Sequence, residues 1–289
     1  MRTRRSILAL PVVLVALAGS LTLSPTAAAV APHDATYATI VADLNNDGIP
    51  DHATLGQIGS PSSTQCSVTV RLGNPDGTFG APVVYPYTLG QHLCPNEGIA
   101  VKLGNHVVPD LVVAASFDSY GTVVLTNYQV AGVYNGVTQP QLLRTGADFN
   151  GDGRQDIIEA SFQTDSLITL INMPDAGLTR GPISACAYRP QYVIADFDQD
   201  GDQDMLLSAN CMIPPNTGIS ATVLFGNGNP PVTLMSSRDN TTAYTVFTID
   251  LNNDGIPDVG VTATPYNGKP TTSYFRNDGH GHFTPTPGP

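Results

Sequence analysis

From residue 37 onward, short apolar runs alternate with tight turns rich in Gly, Asn and Asp. The runs recur in a fixed order: one enters an aspartate-rich loop, a second leaves it, a third follows a short turn, and a weaker fourth follows another turn. Residues 192–195, 205–208 and 221–225 are one such series. Because the runs are rich in Val, Ile and Thr and show no amphipathic helical period, the pattern predicts β-strands.

The aspartate-rich loop is a nine-residue repeat of the form D-x-[DN]-x-D-G-x-x-D. Four copies align without gaps, at residues 43–51, 148–156, 196–204 and 250–258. A fifth segment, residues 102–110, keeps the apolar second position and the last aspartate but has lost the other acids and the glycine. The segments begin 46 to 59 residues apart. A period of about fifty residues is that of one four-stranded propeller blade.

The repeat supplies the ligands that calcium prefers. Ca²⁺ takes about six to eight oxygens in flexible geometry. Asp or Asn at positions 1, 3, 5 and 9 offers side-chain oxygens, position 7 offers its backbone carbonyl, and glycine at position 6 permits the sharp turn. We therefore predict a Ca²⁺ site in each of the four intact loops, with metal-free polar turns as the alternative. The predicted ligands are Asp43, Asn45, Asp47, Ile49 and Asp51; Asp148, Asn150, Asp152, Arg154 and Asp156; Asp196, Asp198, Asp200, Asp202 and Asp204; and Asp250, Asn252, Asp254, Ile256 and Asp258.

Two further positions of the repeat carry information. In the segment 102–110, Lys102 replaces the first acid, and its positive charge is a candidate substitute for the ion. The second position is apolar, so we expect it to point away from the ligands and to anchor each loop in the core. The residues at this position are Leu44, Phe149, Phe197 and Leu251.

The EF-hand is the nearest alternative interpretation of the loops. It requires a bidentate acid at position 12 and flanking helices. Glu159 occupies that position after the loop 148–156, but Thr54, Leu207 and Val261 occupy it elsewhere. The EF-hand interpretation therefore fails for three of the four loops.

The first residues resemble an export signal. Three arginines precede an apolar run over residues 7–23, and Ala27, Ala28 and Ala29 supply small residues for cleavage after residue 29. This order is typical of a secretory signal peptide over residues 1–29, which predicts a secreted, extracellular protein with a single domain over residues 30–289. A membrane anchor and the twin-arginine route remain open. No later apolar stretch is long enough to span a membrane.

The net charge bears on the class of binding partner, and the cysteine content bears on the redox compartment. The formal charge is −12, and loss of the arginines in the signal peptide makes the remaining chain more acidic. Nucleic acid is therefore excluded as a partner, because binding to phosphates needs Lys and Arg. An even number of cysteines in an exported chain favours two disulfides, and three pairings are possible. The cysteines are Cys66, Cys94, Cys186 and Cys211.

The loops, together with the segment Gly73–Pro82 and its Phe-Gly-Ala-Pro ending, resemble FG-GAP or VCBS-type repeats. Residues 277–285 and 225–228 resemble the same motif more weakly. The family includes the propeller of the integrin α-subunit and many secreted bacterial proteins. The resemblance implies an all-β fold, a β-propeller of four-stranded antiparallel blades, with the metal loop between the first two strands of each blade. Where integrins have seven blades, this chain offers five, and a closed five-bladed ring is expected, with blades over 37–90, 91–142, 143–190, 191–243 and 244–289.

The propeller order of strands also implies where the cysteines lie. All four map to the face opposite the metal loops, which implies the local pairs Cys66–Cys94 and Cys186–Cys211. By resemblance to integrins, that face is also the expected recognition face. Its long loops are expected at residues 85–98, 117–121, 174–190 and 212–218.

The favoured function is a non-catalytic recognition or adhesion module for an extracellular glycan, matrix polymer or protein. One alternative is an enzyme acting on polysaccharide, although no G-x-S-x-G or H-E-x-x-H motif is present and no catalytic residue is assigned. Glu97 is the first residue to mutate under that alternative. His280 and His282 are a weaker candidate for a transition-metal site. A purely structural or assembly role is the third possibility, and the absence of Trp counts against a lectin.

Overall fold

The computed structural model describes residues 35–59, 65–90, 93–116, 121–134, 137, 139–140, 142–213, 217–238 and 241–289. The predicted signal peptide lies outside these residues, as do residues 117–120 and 214–216 of two predicted recognition loops. Within the described part of the chain, no helix is long and apolar enough to cross a membrane.

The described residues form five four-stranded antiparallel sheets and no helix. In each sheet, strands that follow one another in sequence are hydrogen-bonded neighbours. The predicted all-β fold of four-stranded antiparallel sheets is confirmed. Sheet 1 contains β1 (Ala35–Ala42), β2 (Asp51–Gln57), β3 (Gln65–Arg71) and β4 (Val83–Thr88). Sheet 2 contains β5 (Glu97–Val101), β6 (Asp110–Ala114), β7 (Thr122–Thr126) and β8 (Gln129–Tyr134). Sheet 3 contains β9 (Leu142–Thr145), β10 (Ile157–Ser161), β11 (Ser166–Asn172) and β12 (Leu178–Cys186). Sheet 4 contains β13 (Tyr188–Ala195), β14 (Asp204–Cys211), β15 (Gly218–Leu224) and β16 (Val232–Ser237). Sheet 5 contains β17 (Thr242–Ile249), β18 (Asp258–Pro265), β19 (Thr271–Asn277) and β20 (Phe283–Thr286).

The second strand of each sheet shows how the sheets are packed. In sheets 2 and 3, every residue of β6 and β10 is buried, which is expected of a strand covered on both faces. In sheet 1, β2 largely alternates between buried and half-buried residues, as in a sheet with only one covered face. The internal sheets are therefore covered on both sides, and sheet 1 on one.

Four hydrophobic clusters hold the sheets together in chain order. One joins sheets 1 and 2, the next joins sheets 2 and 3, the third joins sheets 3 and 4, and the last joins sheets 4 and 5. No hydrophobic cluster of the described residues joins sheet 5 to sheet 1. The closed five-bladed ring therefore stays a prediction.

The outward faces of sheets 1 and 5 carry pairs of threonines that hydrogen-bond within their own sheet. On sheet 1, the hydroxyls of Thr39 and Thr54 lie 3.1 Å apart, and on sheet 5 those of Thr262 and Thr272 lie 2.9 Å apart. The adjacent Leu55 is fully buried against sheet 2. Because side chains alternate across a strand, neighbouring residues lie on opposite faces with opposite polarity.

Both predicted disulfides are present. Cys66 bonds Cys94, and Cys186 bonds Cys211, each with a Cα–Cα distance of 5.3 Å. The first joins β3 to the segment that enters sheet 2. The second joins the end of β12 to the end of β14, and it therefore links sheet 3 to sheet 4 covalently. All four cysteines lie at the ends of the sheets opposite the aspartate-rich loops.

One of the expected long loops is largely strand, and a second is partly strand. Residues 178–186, within the expected loop 174–190, form β12, which pairs with β11. Gly181 and Pro182 made this segment look like a loop, but β12 is an edge strand, where proline is tolerated because an outward N–H is not needed. Residues 85–88, at the start of the expected loop 85–98, belong to β4.

A buried acid lies between sheets 2 and 3. Glu159 on β10 is fully buried, accepts a hydrogen bond from the Thr122 hydroxyl, and accepts a second from the Val137 amide at 3.1 Å. Burial raises the pKa of Glu159 to about 7, although its hydrogen bonds and the charge of Arg180 act in the opposite direction. The carboxylate binds these groups and not a metal loop, which removes the remaining support for an EF-hand.

Replacing an inner-face residue of sheet 1 should cost far more stability than replacing its outer-face neighbour. Leu55→Ala leaves a cavity in the core and should lower the free energy of unfolding by about 3 kcal/mol. Thr54→Ala should lower it by less than about 1 kcal/mol, because Thr54 is half-buried and its partner Thr39 is exposed. Urea denaturation measures both values. Equal losses would show that the face carrying Thr54 is covered.

Glu159→Gln should flatten the dependence of stability on pH. The folded pKa of about 7 exceeds the ordinary 4.5, so the folded chain binds this proton more tightly than the unfolded chain. The stabilisation is thus present at low pH and is lost as the pH rises through about 7. Because glutamine stays neutral, the variant should gain up to about 3 kcal/mol on the parent between about pH 5 and about pH 8. Urea denaturation in saturating calcium tests this, and parallel profiles would contradict it.

Candidate functional site

The four aspartate-rich loops share one backbone conformation. Positions 4 and 6 are left-handed in every copy, a conformation that glycine adopts freely and that asparagine tolerates better than most residues. Glycine fills position 6 in all four loops, where an added side chain would be strained. The φ values are 62° and 84° for Asn46 and Gly48, 65° and 85° for Gly151 and Gly153, 57° and 99° for Gln199 and Gly201, and 59° and 81° for Asn253 and Gly255.

The carboxylate at position 1 organises the turn. In the first loop, Asp43 accepts hydrogen bonds from the amides of Asp47 at 3.0 Å and Gly48 at 2.7 Å. The same two bonds recur at Asp148, Asp196 and Asp250, at distances of 2.6 to 3.2 Å. Burial opposes ionisation, but the backbone amides outweigh it and lower the pKa of Asp43. The loop is thus ordered around an ionised carboxylate.

The carboxylate at position 9 fixes the loop to its own sheet. It is fully buried in all four copies. One oxygen accepts the amide of position 2, and the other accepts an amide at the end of the third strand. These pairs of donors are Leu44 and Gly73 to Asp51, Phe149 and Asn172 to Asp156, Phe197 and Gly226 to Asp204, and Leu251 and Asn277 to Asp258, all at 2.7 to 2.9 Å.

Position 2 lies where the sequence predicts. Leu44, Phe149 and Phe197 are buried in the core, and Leu251 is half-buried. Anchoring this residue in the core brings its amide to the buried aspartate of position 9. The pair of hydrogen bonds that the position 9 aspartate accepts was not predicted from the sequence, because the second donor is about twenty residues away.

The loop 196–204 brings three carboxylates together. One side-chain oxygen from each of Asp196, Asp198 and Asp204 lies within 4.8 Å of the others, in a group able to hold a metal ion. The Oδ1 atom of Asp198 is buried and has no hydrogen-bond partner among the described residues. Oxygens gathered in this way repel one another without a cation, so the donor set fits a hard cation such as Ca²⁺.

Two carboxylates of this loop have raised pKa values. Burial raises the pKa of Asp204 to about 7, with further contributions from Asp198 and Asp200. Burial also raises the pKa of Asp202, as do the charges of Asp200 and of Asp148 in the preceding loop. Asn227 partly relieves the repulsion, because its amide donates to Asp198 at 2.9 Å and also to Asp200.

The loop 148–156 contains its own cation. The guanidinium of Arg154 forms an ion pair with Asp152 and donates through Nε to the carbonyl of Asn172 at 2.9 Å. The ion pair occupies an oxygen of Asp152 that the sequence assigns to calcium. Burial raises the pKa of Asp156 to about 6. An ion in this loop would have to displace the guanidinium or share the carboxylate with it.

The loops 43–51 and 250–258 are identical in sequence. The amides of Asn45 and Asn252 donate to Asp47 and Asp254 at 2.8 Å and 2.7 Å. An ion at either loop would require the asparagine to turn its oxygen inward, which a rotation of the amide allows. The carbonyls of Ile49 and Ile256 remain the predicted ligands at position 7.

The segment 102–110 is closed by side chains and not by an ion. Asp110 accepts from the hydroxyl of Thr126 at 2.7 Å, and its other oxygen lies 2.7 Å from His106 Nδ1. Lys102 does not neutralise its own loop, since its ammonium reaches Asn46 in the neighbouring loop at 3.2 Å. The role of His106 was missed, although its spacing of four residues from Asp110 was visible.

The segments 102–110, 148–156 and 196–204 also contact the sheet that follows them. The amide of Asn172 donates to the carbonyl of Lys102 at 2.8 Å, and that of Asn277 donates to the carbonyl of Phe197 at 2.7 Å. Between sheets 3 and 4, the amide of Gln203 donates to the carbonyl of Asp148 at 2.9 Å. The loops therefore act as contacts between neighbouring sheets.

The remaining candidates do not converge on a site. Glu97 is half-buried at the start of β5. His282 is exposed, and its Nδ1 lies 3.1 Å from Asp278. The amide of His280 donates to the same carboxylate at 2.9 Å, which is the leading cause of the lowered pKa of Asp278. This arrangement is that of a polar turn.

No family model matches the chain, and no curated protein matches it. Among solved structures, the Vibrio cholerae biofilm matrix protein Bap1 is similar with a TM-score of 0.43 and 16% identity, over 82% of this chain and 39% of Bap1. BBS1N, solved in complex with ARL6DN and soaked with lead, is similar with a TM-score of 0.33 and 12% identity, over 92% of this chain and 85% of that one. The chain thus spans well under two thirds of Bap1, and at these scores neither similarity carries an argument about function.

Position 9 should matter for stability without any metal, whereas position 5 should not. Asp258→Asn places an amide group against one of two backbone N–H donors. In excess chelator it should lower the free energy of unfolding by about 2 kcal/mol. Asp254→Asn, at an exposed position of the same loop, should lower it by less than about 1 kcal/mol. Urea denaturation in chelator compares the two, and equal effects would show that position 9 serves only as a metal ligand.

Proposed function

We propose that the chain is a secreted, calcium-binding β-propeller of the FG-GAP or VCBS type that acts as a non-catalytic recognition module. The observation that carries the proposal is the convergence of Asp196, Asp198 and Asp204 within a loop whose conformation recurs three more times. A single acidic turn would carry little weight. Four copies with the same hydrogen bonds at positions 1 and 9 support a common ligand.

Calcium is the cation that these donors favour. All the side-chain donors are carboxylate or amide oxygens, which suit hard cations and not zinc or copper. A site with several protein oxygens in a flexible loop suits Ca²⁺ better than Mg²⁺, which demands near-ideal octahedral geometry. We expect affinities typical of extracellular modules, about 10⁻⁴ to 10⁻³ M.

The four loops should not bind calcium equally. The loop 196–204 has an aspartate at position 3 and an orphaned buried oxygen on Asp198, so it should bind most tightly. The loop 148–156 should bind most weakly, because Arg154 already pairs with Asp152. The segment 102–110 should bind none, since His106 and Thr126 occupy its last carboxylate.

The arrangement of the sheets supports a propeller. Five meanders of four strands each pack against their neighbours in chain order, with the loops on one side and the disulfides on the other. Two disulfides are typical of proteins from oxidising compartments, in agreement with the predicted signal peptide. Because protein groups supply the ligands from within one loop, the ion would order the loop and would not take part in chemistry.

Calcium binding by the loop 196–204 is the test of the proposal. Asp198→Asn should weaken the tightest site at least about tenfold, because the orphaned carboxylate oxygen is replaced. Asp175→Asn removes the same charge from an exposed turn and should change nothing. Isothermal titration of the chelated, full-length chain with calcium measures both variants.

Thermal denaturation supplies the second readout. Calcium should raise the melting temperature of the parent protein, since an ion that binds only the folded state stabilises it. Excess chelator should reverse the gain. An unchanged melting temperature in excess chelator, for a purified protein that contains no metal, would overturn the calcium assignment.

A further inference from the structure

A cleft of about 540 Å³ lies between sheets 4 and 5, at the ends of the strands opposite the metal loops. It is bounded by the start of β13, the end of β14, the start of β17 and the end of β18. Its volume is within the range of small-molecule and cofactor sites, about 300 to 1,000 Å³. It lies on the same side of the molecule as both disulfides.

Three tyrosines line the cleft. Tyr266 is 83% exposed at its rim, Tyr188 is half-buried, and Tyr244 is buried at its base. At this exposure the ring of Tyr266 is accessible to a ligand in the cleft. Flat aromatic faces with hydroxyl groups suit a ligand that is apolar on one face and polar at its edges.

The base of the cleft is rigid. The Ser208 hydroxyl, which is buried on sheet 4, donates to the carbonyl of Tyr244 on sheet 5 at 2.7 Å. The amide of Tyr266 donates to the carbonyl of Thr241 at 2.8 Å and ties the end of β18 to the start of β17. The backbone at the base of the cleft and at the start of the Tyr266 rim is therefore fixed by hydrogen bonds.

Asn210 supplies an unused polar group. It lies directly opposite Tyr188 across the β13–β14 pair, on the same face of the sheet. Its Oδ1 is buried and has no hydrogen-bond partner among the described residues. A buried acceptor without a partner is unfavourable, and a ligand hydroxyl entering beside Tyr188 would supply the missing donor.

Arg189 lines the cleft at a local distortion of β13. The pairing of β13 with β14 shifts register between Tyr188 and Gln191, and Arg189 adopts φ 49°, in the left-handed region that side chains rarely occupy. Bulges of this kind commonly redirect a side chain next to a binding site. The guanidinium lies 5.4 Å from the centre of the Tyr188 ring.

The charge of the cleft is opposite to that of the chain. The sequence contains 24 Asp and Glu against 12 Lys and Arg, yet the described lining of the cleft contains Arg189 and no acidic side chain. The planar guanidinium binds carboxylates through paired hydrogen bonds. The other polar lining groups are hydroxyls and amides of Ser, Thr, Asn and Gln, which suit a ligand rich in hydroxyls.

We propose that this cleft binds an oligosaccharide that carries carboxylate groups. Tyr188 and Tyr266 stack on sugar rings, Asn210 accepts a sugar hydroxyl, and Arg189 binds the carboxylate. The proposal names the ligand class of the recognition module proposed above and rests on that function. It places the binding site between two sheets and away from the calcium loops.

Titration calorimetry on the full chain in saturating calcium tests the proposal. The probes are a hexasaccharide of alternating glucuronate and N-acetylglucosamine, and neutral chitohexaose. The acidic sugar should bind at least about tenfold more tightly than the neutral one. Tyr266→Ala should weaken both by about five- to tenfold, the loss of one aromatic contact. Arg189→Gln should abolish the preference and leave the neutral sugar unaffected.

Matched variants on sheet 1 control for general effects. Tyr37→Ala removes a tyrosine that is 44% exposed, and Arg71→Gln removes an exposed arginine, both far along the chain from the cleft. Neither should change binding. Failure to bind either sugar, binding unchanged by Tyr266→Ala, or equal competition by an acidic hexapeptide would each overturn the proposal.

Calcium titration of the same samples keeps the two proposals separate. Sugar binding that is weakened in Tyr266→Ala while calcium binding is normal supports the cleft. Normal calcium binding with no sugar binding overturns the cleft and leaves the calcium-dependent module standing. Sugar binding without any calcium binding would overturn the module and retain the cleft.

Discussion

The buried carboxylate at position 9 is the interaction on which the loops depend. In sheet 5, Asp258 accepts the amide of Leu251 with one oxygen and the amide of Asn277 with the other. A carboxylate is tolerated in the interior only when its oxygens are paired in this way. The same side chain therefore sets the entry of the ligand loop and the end of the third strand. Because the predicted ligands at positions 1, 3 and 5 lie between these fixed points, the sheet would hold them in place for the proposed ion.

Residues that donate to the position 9 carboxylate also form hydrogen bonds with the preceding sheet. Asn277 donates its backbone amide to Asp258 and its side-chain amide to the carbonyl of Phe197 in the preceding sheet. Asn172 does the same between sheets 3 and 2. At the equivalent place in sheet 4, Gly226 lies so close to the carbonyl of Phe149 that a side chain would not fit, since a Cβ atom would come within 2.6 Å. At this place in the fold, the asparagines form a side-chain hydrogen bond to the preceding sheet, whereas the glycine lets two backbones approach closely.

Local features and the two disulfides could be predicted from the sequence, whereas the other contacts between distant side chains could not. The repeat predicted the strands and the loop conformation, because glycine at position 6 and alternating acids act within nine residues. The strand β12 was missed, because Gly181 and Pro182 favour a loop locally, and pairing with β11 overrides that preference. The ion pair of Arg154 and the buried partners of Glu159 depend on neighbours that only the folded chain brings together. For the same reason, the sequence pointed to the face with the disulfides but not to the cleft.

The internal interfaces differ in their side chains from the outward faces of sheets 1 and 5. At the four internal interfaces, residues such as Leu55 and Val261 meet apolar partners on the next sheet. The outward faces of sheets 1 and 5 instead carry threonines that hydrogen-bond within their own sheet. The stability of the described fold therefore comes from its internal interfaces, and the disulfide between Cys186 and Cys211 reinforces one of them. This interface adjoins sheet 4, whose other side forms the cleft, so the covalent link holds one wall of the cleft in place.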